Sequence, residues 1–154
     1  MKFVRSAVRA LIIRDGCLLT IQMRRGKGEI FYILPGGGQV HGETLEISLR
    51  RECLEEIGVE PIIGPIAYVR EYIGRNHTFA QAHKDFHQIE VVFRCKLPEG
   101  SEPGNGHETD KHQIGYRWVP VKELLEMDFY PAKLKEYIQE ANICPDKIYL
   151  GDIN

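Results

Sequence analysis

Apolar and polar residues alternate over residues 3–14 and again over residues 17–23, with Asp15 and Gly16 between the two stretches. Alternation with a period of two is typical of a strand that buries one face, and Asp-Gly is a strong signal for a two-residue hairpin turn. The pattern therefore predicts an antiparallel pair of strands at the start of the chain.

A third apolar run, residues 31–34, is stopped by Pro35 and followed by three glycines at 36–38. Glycine lets the backbone approach a ligand closely, so this stretch is predicted to be a loop whose backbone can come close to a metal or a phosphate. Thr44 is in position to cap a helix, and Gly58 is expected to end it. The order is thus strand, loop and helix, with the next strand beginning near Val59.

The rest of the chain predicts further strands and two short helical segments. Strands are expected over residues 59–73, 88–97 and 114–119, the first of them broken by Pro61, Gly64 and Pro65. A helical turn is expected from Pro120 through Leu125, and a helix from Pro131 to about Ala141. Residues 98–111 are expected to form an exposed loop, and the residues from about Pro145 a tail. Helices interspersed among antiparallel strands indicate an α+β fold.

Composition agrees with one domain spanning residues 1–154, with a core over about 5–140. The 154 residues are 43% hydrophobic and 27% charged, enough to bury a good core. The net charge of −2 gives no electrostatic footprint for duplex nucleic acid, so a small-molecule partner is expected. Arginines interrupt the N-terminal apolar stretch and no run of 18 apolar residues occurs, so no membrane association and a cytoplasmic location are expected. A homodimer is left open.

The four cysteines, Cys17, Cys53, Cys95 and Cys144, lie far apart in the sequence. Without a Cys-x-x-Cys pair, they argue against a zinc site and give no reason to propose disulfides. His83 and His87 have the spacing of a helical metal pair, but no third ligand is evident and the segment has weak helical character.

Three carboxylates are predicted to share one face of the helix after Thr44. Spacings of three and four place Glu52, Glu55 and Glu56 within roughly 100° of arc. Like charges at that spacing destabilise a bare helix, and a hard cation resolves the conflict. Mg²⁺, with Mn²⁺ as an alternative, prefers such oxygens and bridges to substrate phosphates. Ile47, Leu54 and Ile57 lie on much of the opposite arc and are expected to anchor the helix to the core.

These acids belong to a longer pattern with one fixed spacing. The pattern comprises Gly37, Glu43, Arg51, Glu52, Glu55, Glu56 and Gly58, with Cys53 and Val59 in its two apolar positions. The chain therefore resembles the Nudix hydrolases, and all seven fixed positions of their signature match. Cys53 stands where the family more often has Leu or Ile, and it fits as a small buried hydrophobe.

The resemblance implies a fold, an activity and roles for these residues. The implied fold is an α/β/α sandwich with a mixed β-sheet, and residues 117–124 resemble a segment found in many members. The implied activity is metal-dependent hydrolysis of a nucleoside diphosphate linked to another group. Metal ligands are implied at Glu52, Glu55, Glu56 and the Gly37 carbonyl, whereas Arg51 is implied to pair with Glu43.

Two roles stay open at this point. Water attacks a phosphorus while a carboxylate positions or deprotonates it, and Glu52 is a candidate for this base as well as for a ligand. Family members often contribute one more acid downstream of the helix. The candidates here are Glu108 and Glu90, followed by Asp110.

Substrate-binding residues are predicted from residue type and position. Arg24 and Arg25 end the second strand, where a guanidinium can bind phosphate oxygens with two hydrogen bonds. Tyr72, Phe79 and Tyr116 are candidates to stack on a base or support a pocket wall, although aromatic residues in strands are more often core residues.

The substrate class is the least determined feature. The marks of the ADP-ribose and coenzyme A subtypes are missing, which favours a MutT-like pyrophosphohydrolase of nucleoside or deoxynucleoside triphosphates. Hydrolysis of an NDP-sugar or a dinucleoside polyphosphate is the alternative, and a nucleotide-sensing module without catalysis is a third hypothesis.

Overall fold

The structure is a computed structural model that describes residues 2–78, 80–104, 106, 112–139 and 147–154. The strands among these residues are β1 Arg5–Arg14, β2 Cys17–Arg25, β3 Glu29–Ile33, β4 Gly36–Gly38, β5 Ile62–Ile73, β6 His87–Lys96, β7 Gln113–Pro120 and β8 Tyr149–Asp152. The helices are α1 Leu45–Ile57, α2 Ala80–His83 and α3 Leu134–Gln139, with 3₁₀ turns at Gly74–Asn76 and Val121–Glu126.

The described strands join into one mixed sheet in the order β3-β2-β1-β6-β5-β8, with β4 also on β1 and β7 on β2. The pairs β1–β6 and β5–β8 are parallel, whereas β1–β2, β2–β3, β2–β7, β1–β4 and β5–β6 are antiparallel. β1 is central because it pairs with β4 at its start, with β2 at its end and with β6 along its length. The mixed sheet expected from the resemblance is confirmed.

Two apolar clusters cover the two faces of the sheet. Alternate residues of β1 separate between them, with Val8, Ala10 and Ile12 in one cluster and Leu11 in the other. The first cluster includes Leu49, Cys53 and Ile57 of α1, and the second includes Leu134 and Ile138 of α3. Because helices pack on both faces, the layers are those of an α/β/α sandwich.

Local signals set the ends of the hairpin and of α1 as predicted. Asp15 and Gly16 both have positive φ, 52° and 72°, which is the turn that continues the twist of the two strands. The Thr44 hydroxyl accepts a hydrogen bond from the Ile47 amide at 3.2 Å. Gly58, with φ of 70°, donates its amide to the Leu54 carbonyl, as a left-handed C-cap does.

The prediction that Ile47 and Leu54 anchor α1 is wrong. Their exposed fractions are 50% and 36%, whereas Leu49, Cys53 and Ile57 are fully buried. Residues four apart form one row along a helix, and the row through Cys53 faces the sheet. Ile57 is the one member of the expected anchor that is buried.

Two further expectations need correction. β5 is not broken at Gly64 and Pro65, because its pairing with β6 absorbs them as register shifts between Ile63 and Tyr68. The expected tail contains β8, whose residues pair with β5.

Two other segments depart in part from expectation. α3 begins at Leu134 rather than at Pro131, and Ala141 and Pro145 lie outside the described residues. In the expected loop after residue 97, Pro103 is buried, and residues 105 and 107–111 lie outside the description. None of the described helices has the length and apolar character needed to cross a bilayer.

Candidate active site

The glycine strand β4 and the acidic face of α1 form the walls of a cavity of about 460 Å³. We call it the carboxylate cavity, and it is lined by Arg5, Arg9, Met23, Ile33, Gly36, Gly37, Gly38, Glu52, Glu55, Glu56 and Gln113. The structure thus brings together the three glutamates and the glycine that the sequence singled out. Arg5 and Arg9 of β1 also line this cavity. They could not be recognised from the sequence, because no local motif marks them.

Glycine is required at the wall where β4 meets α1. A Cβ atom at Gly36 would overlap the Val8 carbonyl oxygen, which belongs to the backbone of β1 and cannot swing aside. The Gly36 amide donates to Glu56 Oε2 at 3.1 Å, and Gly36 itself has φ of 139°. The close approach of backbone to carboxylates therefore depends on side chains being absent there.

Arg51 joins α1 to the loop before it through Glu43. Its Nε and Nη2 donate to the two Glu43 oxygens at 2.7 and 2.9 Å, and Nη2 also donates to the Gly38 carbonyl at 3.2 Å. The Ser48 hydroxyl adds a donor to Glu43 at 2.6 Å. Hydrogen bonds from Arg51 and Ser48 lower the pKa of Glu43 to about 2. The sequence-based pairing of these two residues is present in the structure.

The same arginine also reaches the acidic face. Arg51 Nη1 lies 2.8 Å from Glu52 Oε1 and 3.4 Å from Glu55 Oε1. Burial alone would lower the pKa of Arg9, but the charge of Glu90 above all, and then those of Glu56 and Glu52, raise it. Positive charge from two arginines therefore offsets the repulsion among the three carboxylates.

The donor set suits a hard divalent cation. In the described part of the chain, no three His, Cys, Asp or Glu side chains converge tightly enough to hold an ion by themselves. Mg²⁺ needs no such cage, because it binds through one or two carboxylates and keeps waters and phosphates as its other ligands. A cavity with three carboxylates and a glycine wall without side chains fits that requirement.

Glu90 lies beside this cavity but belongs to a different arrangement. Only 3% of it is exposed, and its oxygens accept from Arg9 Nε at 3.2 Å and from Arg70 Nε at 2.9 Å. Burial alone would raise the pKa of Glu90, but the two arginines outweigh burial and lower it. Arg9 Nη1 also donates to the Leu34 and Gly36 carbonyls at 3.1 and 2.8 Å. The Arg9–Glu90–Arg70 triad thus supports the glycine wall, and both Glu90 oxygens accept hydrogen bonds from arginines.

A second cavity, of about 380 Å³, has aromatic walls. This aromatic cavity is lined by Arg25, Phe31, Arg70, Tyr72, His83, Tyr130 and Asn154. The Phe31 and Tyr130 rings meet edge to face with centroids 5.8 Å apart, and the Arg25 guanidinium lies 4.9 Å from the Phe31 centroid. Its lining includes no carboxylate side chain.

A small space of about 60 Å³ shares lining residues with both cavities. It is lined by Arg9, Ile33, Leu34, Arg70, Glu90, Tyr130 and Pro131. Arg9 and Ile33 also line the carboxylate cavity, whereas Arg70 and Tyr130 also line the aromatic cavity. The two cavities are therefore neighbours, with Arg9, Glu90 and Arg70 between them.

The predicted substrate residues are distributed unevenly. Arg25 and Tyr72 line the aromatic cavity, whereas Arg24 lines a separate surface depression with His112 and Gln113. Tyr116 lies on β7, is 37% exposed and is not among the residues lining either main cavity. Phe79, Glu108 and Asp110 lie outside the described residues.

The histidines and cysteines have other environments. His83 Nδ1 is 2.9 Å from the Tyr72 hydroxyl, and His87 Nε2 is 3.0 Å from Glu71 Oε1, so the two rings have different partners. Cys17, Cys53 and Cys95 are free thiols, and burial raises the pKa of Cys95 to about 11. Cys144 lies outside the described residues.

Comparison with known proteins gives a consistent result. The family model described as NUDIX domain matches residues 4–140. The nucleoside triphosphatase NudI of Salmonella newport (strain SL254) is 33% identical over 134 residues, which cover 83% of this chain and 90% of that protein.

Solved structures agree on the fold. A NUDIX hydrolase from Nitrosomonas europaea superposes with a TM-score of 0.72 at 16% identity, covering 92% of this chain and 91% of that one. A MutT NUDIX hydrolase from Burkholderia pseudomallei gives 0.69 at 21% identity, covering 87% and 96%. At these identities the superpositions bear on the fold alone.

Proposed function

This chain belongs to the Nudix hydrolase family, and we propose that it hydrolyses nucleoside triphosphates to a nucleoside monophosphate and pyrophosphate. The observation that carries the proposal is the carboxylate cavity, where Glu52, Glu55 and Glu56 face a glycine wall beside two arginines. Such a site can accept phosphate groups only together with cations, which a divalent metal and the arginines supply.

We assign the metal site to Glu52, Glu55, Glu56 and the Gly37 carbonyl, with Mg²⁺ as the expected ion and Mn²⁺ as a substitute. A divalent ion held there would supply positive charge to the phosphates and would lower the pKa of water in the cavity. We propose Glu108 as a further metal ligand. An acid downstream of α1 is expected, and the other candidate, Glu90, is held between two arginines.

The protein's own side chains supply the rest of the chemistry. A carboxylate of the cavity positions the attacking water and accepts its proton, and Glu52 is one candidate because it lies against the glycine wall. Arg51 holds Glu52 and Glu43 in place, so the acidic face keeps its geometry when phosphates enter. Phosphoryl transfer depends mainly on such positioning and electrostatic stabilisation.

The aromatic cavity is proposed to receive the nucleoside end of the substrate. Phe31, Tyr72 and Tyr130 offer ring faces and edges for a base, and the aromatic cavity is a neighbour of the carboxylate cavity. The relative with 33% identity is named a nucleoside triphosphatase, which supports triphosphates over other nucleotides.

The test is a panel of nucleotides assayed with and without metal. Nucleoside and deoxynucleoside triphosphates, NDP-sugars, ADP-ribose and dinucleoside polyphosphates are incubated with the protein and Mg²⁺, and released pyrophosphate and phosphate are measured. The proposal expects the highest kcat/KM with a triphosphate, release of pyrophosphate, and no turnover in excess chelator.

The other outcomes of the panel are equally informative. A best substrate among the sugar or dinucleoside compounds would support the alternative substrate class while keeping the chemistry. Binding of nucleotides without turnover of any of them would show a nucleotide-sensing module.

A further inference from the structure

The residues after α3 that the structure describes end beside the aromatic cavity. β8 runs parallel to β5, with Arg70 paired to Gly151 and Glu71 to Asp152. We call residues 149–154 the β8 segment. Gly151 has φ of 73°, and the pairing shifts register at this point, so the chain turns as it leaves Tyr149.

Asp152 fixes the β8 segment to the turn after β5. Its carboxylate accepts from the Ile73 amide at 2.9 Å and from Asn76 Nδ2 at 2.8 Å, and it lies 2.6 Å from His77 Nε2. Burial alone would raise the pKa of Asp152, but hydrogen bonds from Asn76 and His77 outweigh it and lower the pKa. Three partners on one carboxylate give the segment a defined position.

Ile153 adds two hydrogen bonds through its own amide and carbonyl groups. Its amide donates to the Glu71 carbonyl at 3.1 Å, and its carbonyl accepts from Arg70 Nη1 at 2.8 Å. Arg70 is 8% exposed, is paired with Glu90 and lines the aromatic cavity itself. The next residue, Asn154, is thereby placed at the wall of that cavity.

Most polar groups on this wall are bonded to one another. The Tyr72 hydroxyl meets His83 at 2.9 Å, the Tyr130 hydroxyl accepts from Arg25 at 3.3 Å, and Arg70 donates to Glu90 and Ile153. By contrast, none of the described residues hydrogen-bonds the Asn154 side chain. A carboxamide offers two N–H donors and one oxygen acceptor in one plane, and here this capacity is left for a ligand.

We infer that Asn154 is a specificity-determining residue that hydrogen-bonds the edge of the base held in the aromatic cavity. The inference rests on the proposed function, because it takes the nucleoside end of the substrate as the occupant. Stacking on the aromatic rings tolerates any base, since every base has a π-face. Discrimination then has to come from hydrogen bonds at the edge, and a donor and acceptor side by side match the edge patterns of bases.

The test compares kcat/KM for ATP, GTP, CTP and UTP, with Mg²⁺, in the parent protein and two variants. Asn154→Ala should reduce the ratio between best and worst base by about 10-fold or more, the scale of one paired amide contact. Asn154→Asp keeps the shape but exchanges N–H donors for an acceptor, so kcat/KM for UTP, whose base has no amino group, should fall most relative to the other three triphosphates. The change should appear mainly in KM, with kcat altered little.

Gln81→Ala is the matched control. It also removes a carboxamide side chain, but Gln81 is exposed on α2 and does not line the cavity. Its base preference should equal the parent's. An unchanged base ratio in Asn154→Ala, or an equal change in Gln81→Ala, would overturn direct contact by Asn154.

Failure of the proposed function is distinguishable from failure of this inference. If the parent hydrolyses none of the four triphosphates, the same proteins are titrated with AMP, GMP, CMP and UMP by calorimetry. Discrimination in the parent that Asn154→Ala abolishes would support the contact without catalysis. Equal discrimination in both proteins, or none in the parent, would refute it.

Discussion

Arg51 and Glu43 form a two-point ion pair, with Nε and Nη2 of the arginine at 2.7 and 2.9 Å from the two carboxylate oxygens. The pair joins the acidic face of α1 to the loop that precedes it. Because the remaining guanidinium nitrogen contacts Glu52 at 2.8 Å, the same side chain sets the position of a proposed metal ligand. Arg51 therefore both holds the loop against α1 and positions Glu52.

Arg51→Lys tests this coupling. Lysine keeps the charge but lacks the planar donors that reach Glu43, Glu52 and the Gly38 carbonyl together. We expect a lower melting temperature and weaker Mg²⁺ binding in the same variant, measured by thermal denaturation and by titration with Mg²⁺. Parental values for both would show that the pair has no role beyond the surface. Arg50→Lys, whose partner Glu46 lies 3.7 Å away, is the matched control and should leave both unchanged.

The lowered pKa of Glu43 predicts how the pair depends on pH. Its folded-state pKa is about 2 and its ordinary value is 4.5, so the stabilisation is complete above pH 4.5 and is lost as pH falls toward 2. Glu43→Gln should therefore melt below the parent at pH 7, and the gap should narrow between about pH 4.5 and 2. Melting curves of both proteins over this range check it. A gap that is independent of pH would contradict the assignment.

The features set by short-range signals were predictable from the sequence. The β1–β2 turn follows from Asp15-Gly16, and the ends of α1 follow from Thr44 and Gly58, because each signal acts within a few residues. The acidic face follows from helical spacing in the same way.

Features that depend on distant partners were not predictable. β8 exists through pairing with β5, whose paired residues lie 80 or 81 positions earlier, and its own sequence has little alternation. The ion pairs of Glu90 could not be foreseen either, because its partners Arg9 and Arg70 lie 81 and 20 residues away along the chain. The buried row of α1 was predicted wrongly for a similar reason. Helical spacing shows which residues share a face, but contact with the sheet determines which of those faces is buried.

Glu52→Gln and Glu56→Gln test the proposed catalytic acids. Each change removes a negative charge at the cavity while keeping size and shape, so kcat should fall by at least ~10²-fold, the scale of losing a catalytic group. Steady-state kinetics with the best substrate of the panel measure it, and circular dichroism checks the fold. Glu46→Gln is the control, because Glu46 is exposed on α1 and does not line the cavity. Equal small losses at all three positions would remove the assignment.

Glu90→Gln tests whether Glu90 supports the glycine wall or binds the metal ion. Removing the single negative charge of the buried triad leaves Arg9 and Arg70 without it, so the free energy of unfolding should fall by about 3–5 kcal/mol. Asp85→Asn removes an exposed ion pair with Lys2 and should cost at most about 1 kcal/mol. Urea denaturation gives both values. If Glu90→Gln were as stable as the parent but bound Mg²⁺ less tightly, Glu90 would be a ligand rather than part of a supporting triad.

The most direct test of the central claim follows the oxygen atom of the attacking water. The parent protein hydrolyses its preferred nucleotide with Mg²⁺ in ¹⁸O-labelled water, and the products are separated and examined by mass spectrometry. Attack on phosphorus at the carboxylate cavity predicts the label on a phosphoryl product, with the reaction lost in Glu52→Gln. Label on a sugar carbon, or faster cleavage of a simple phosphate monoester, would contradict the account.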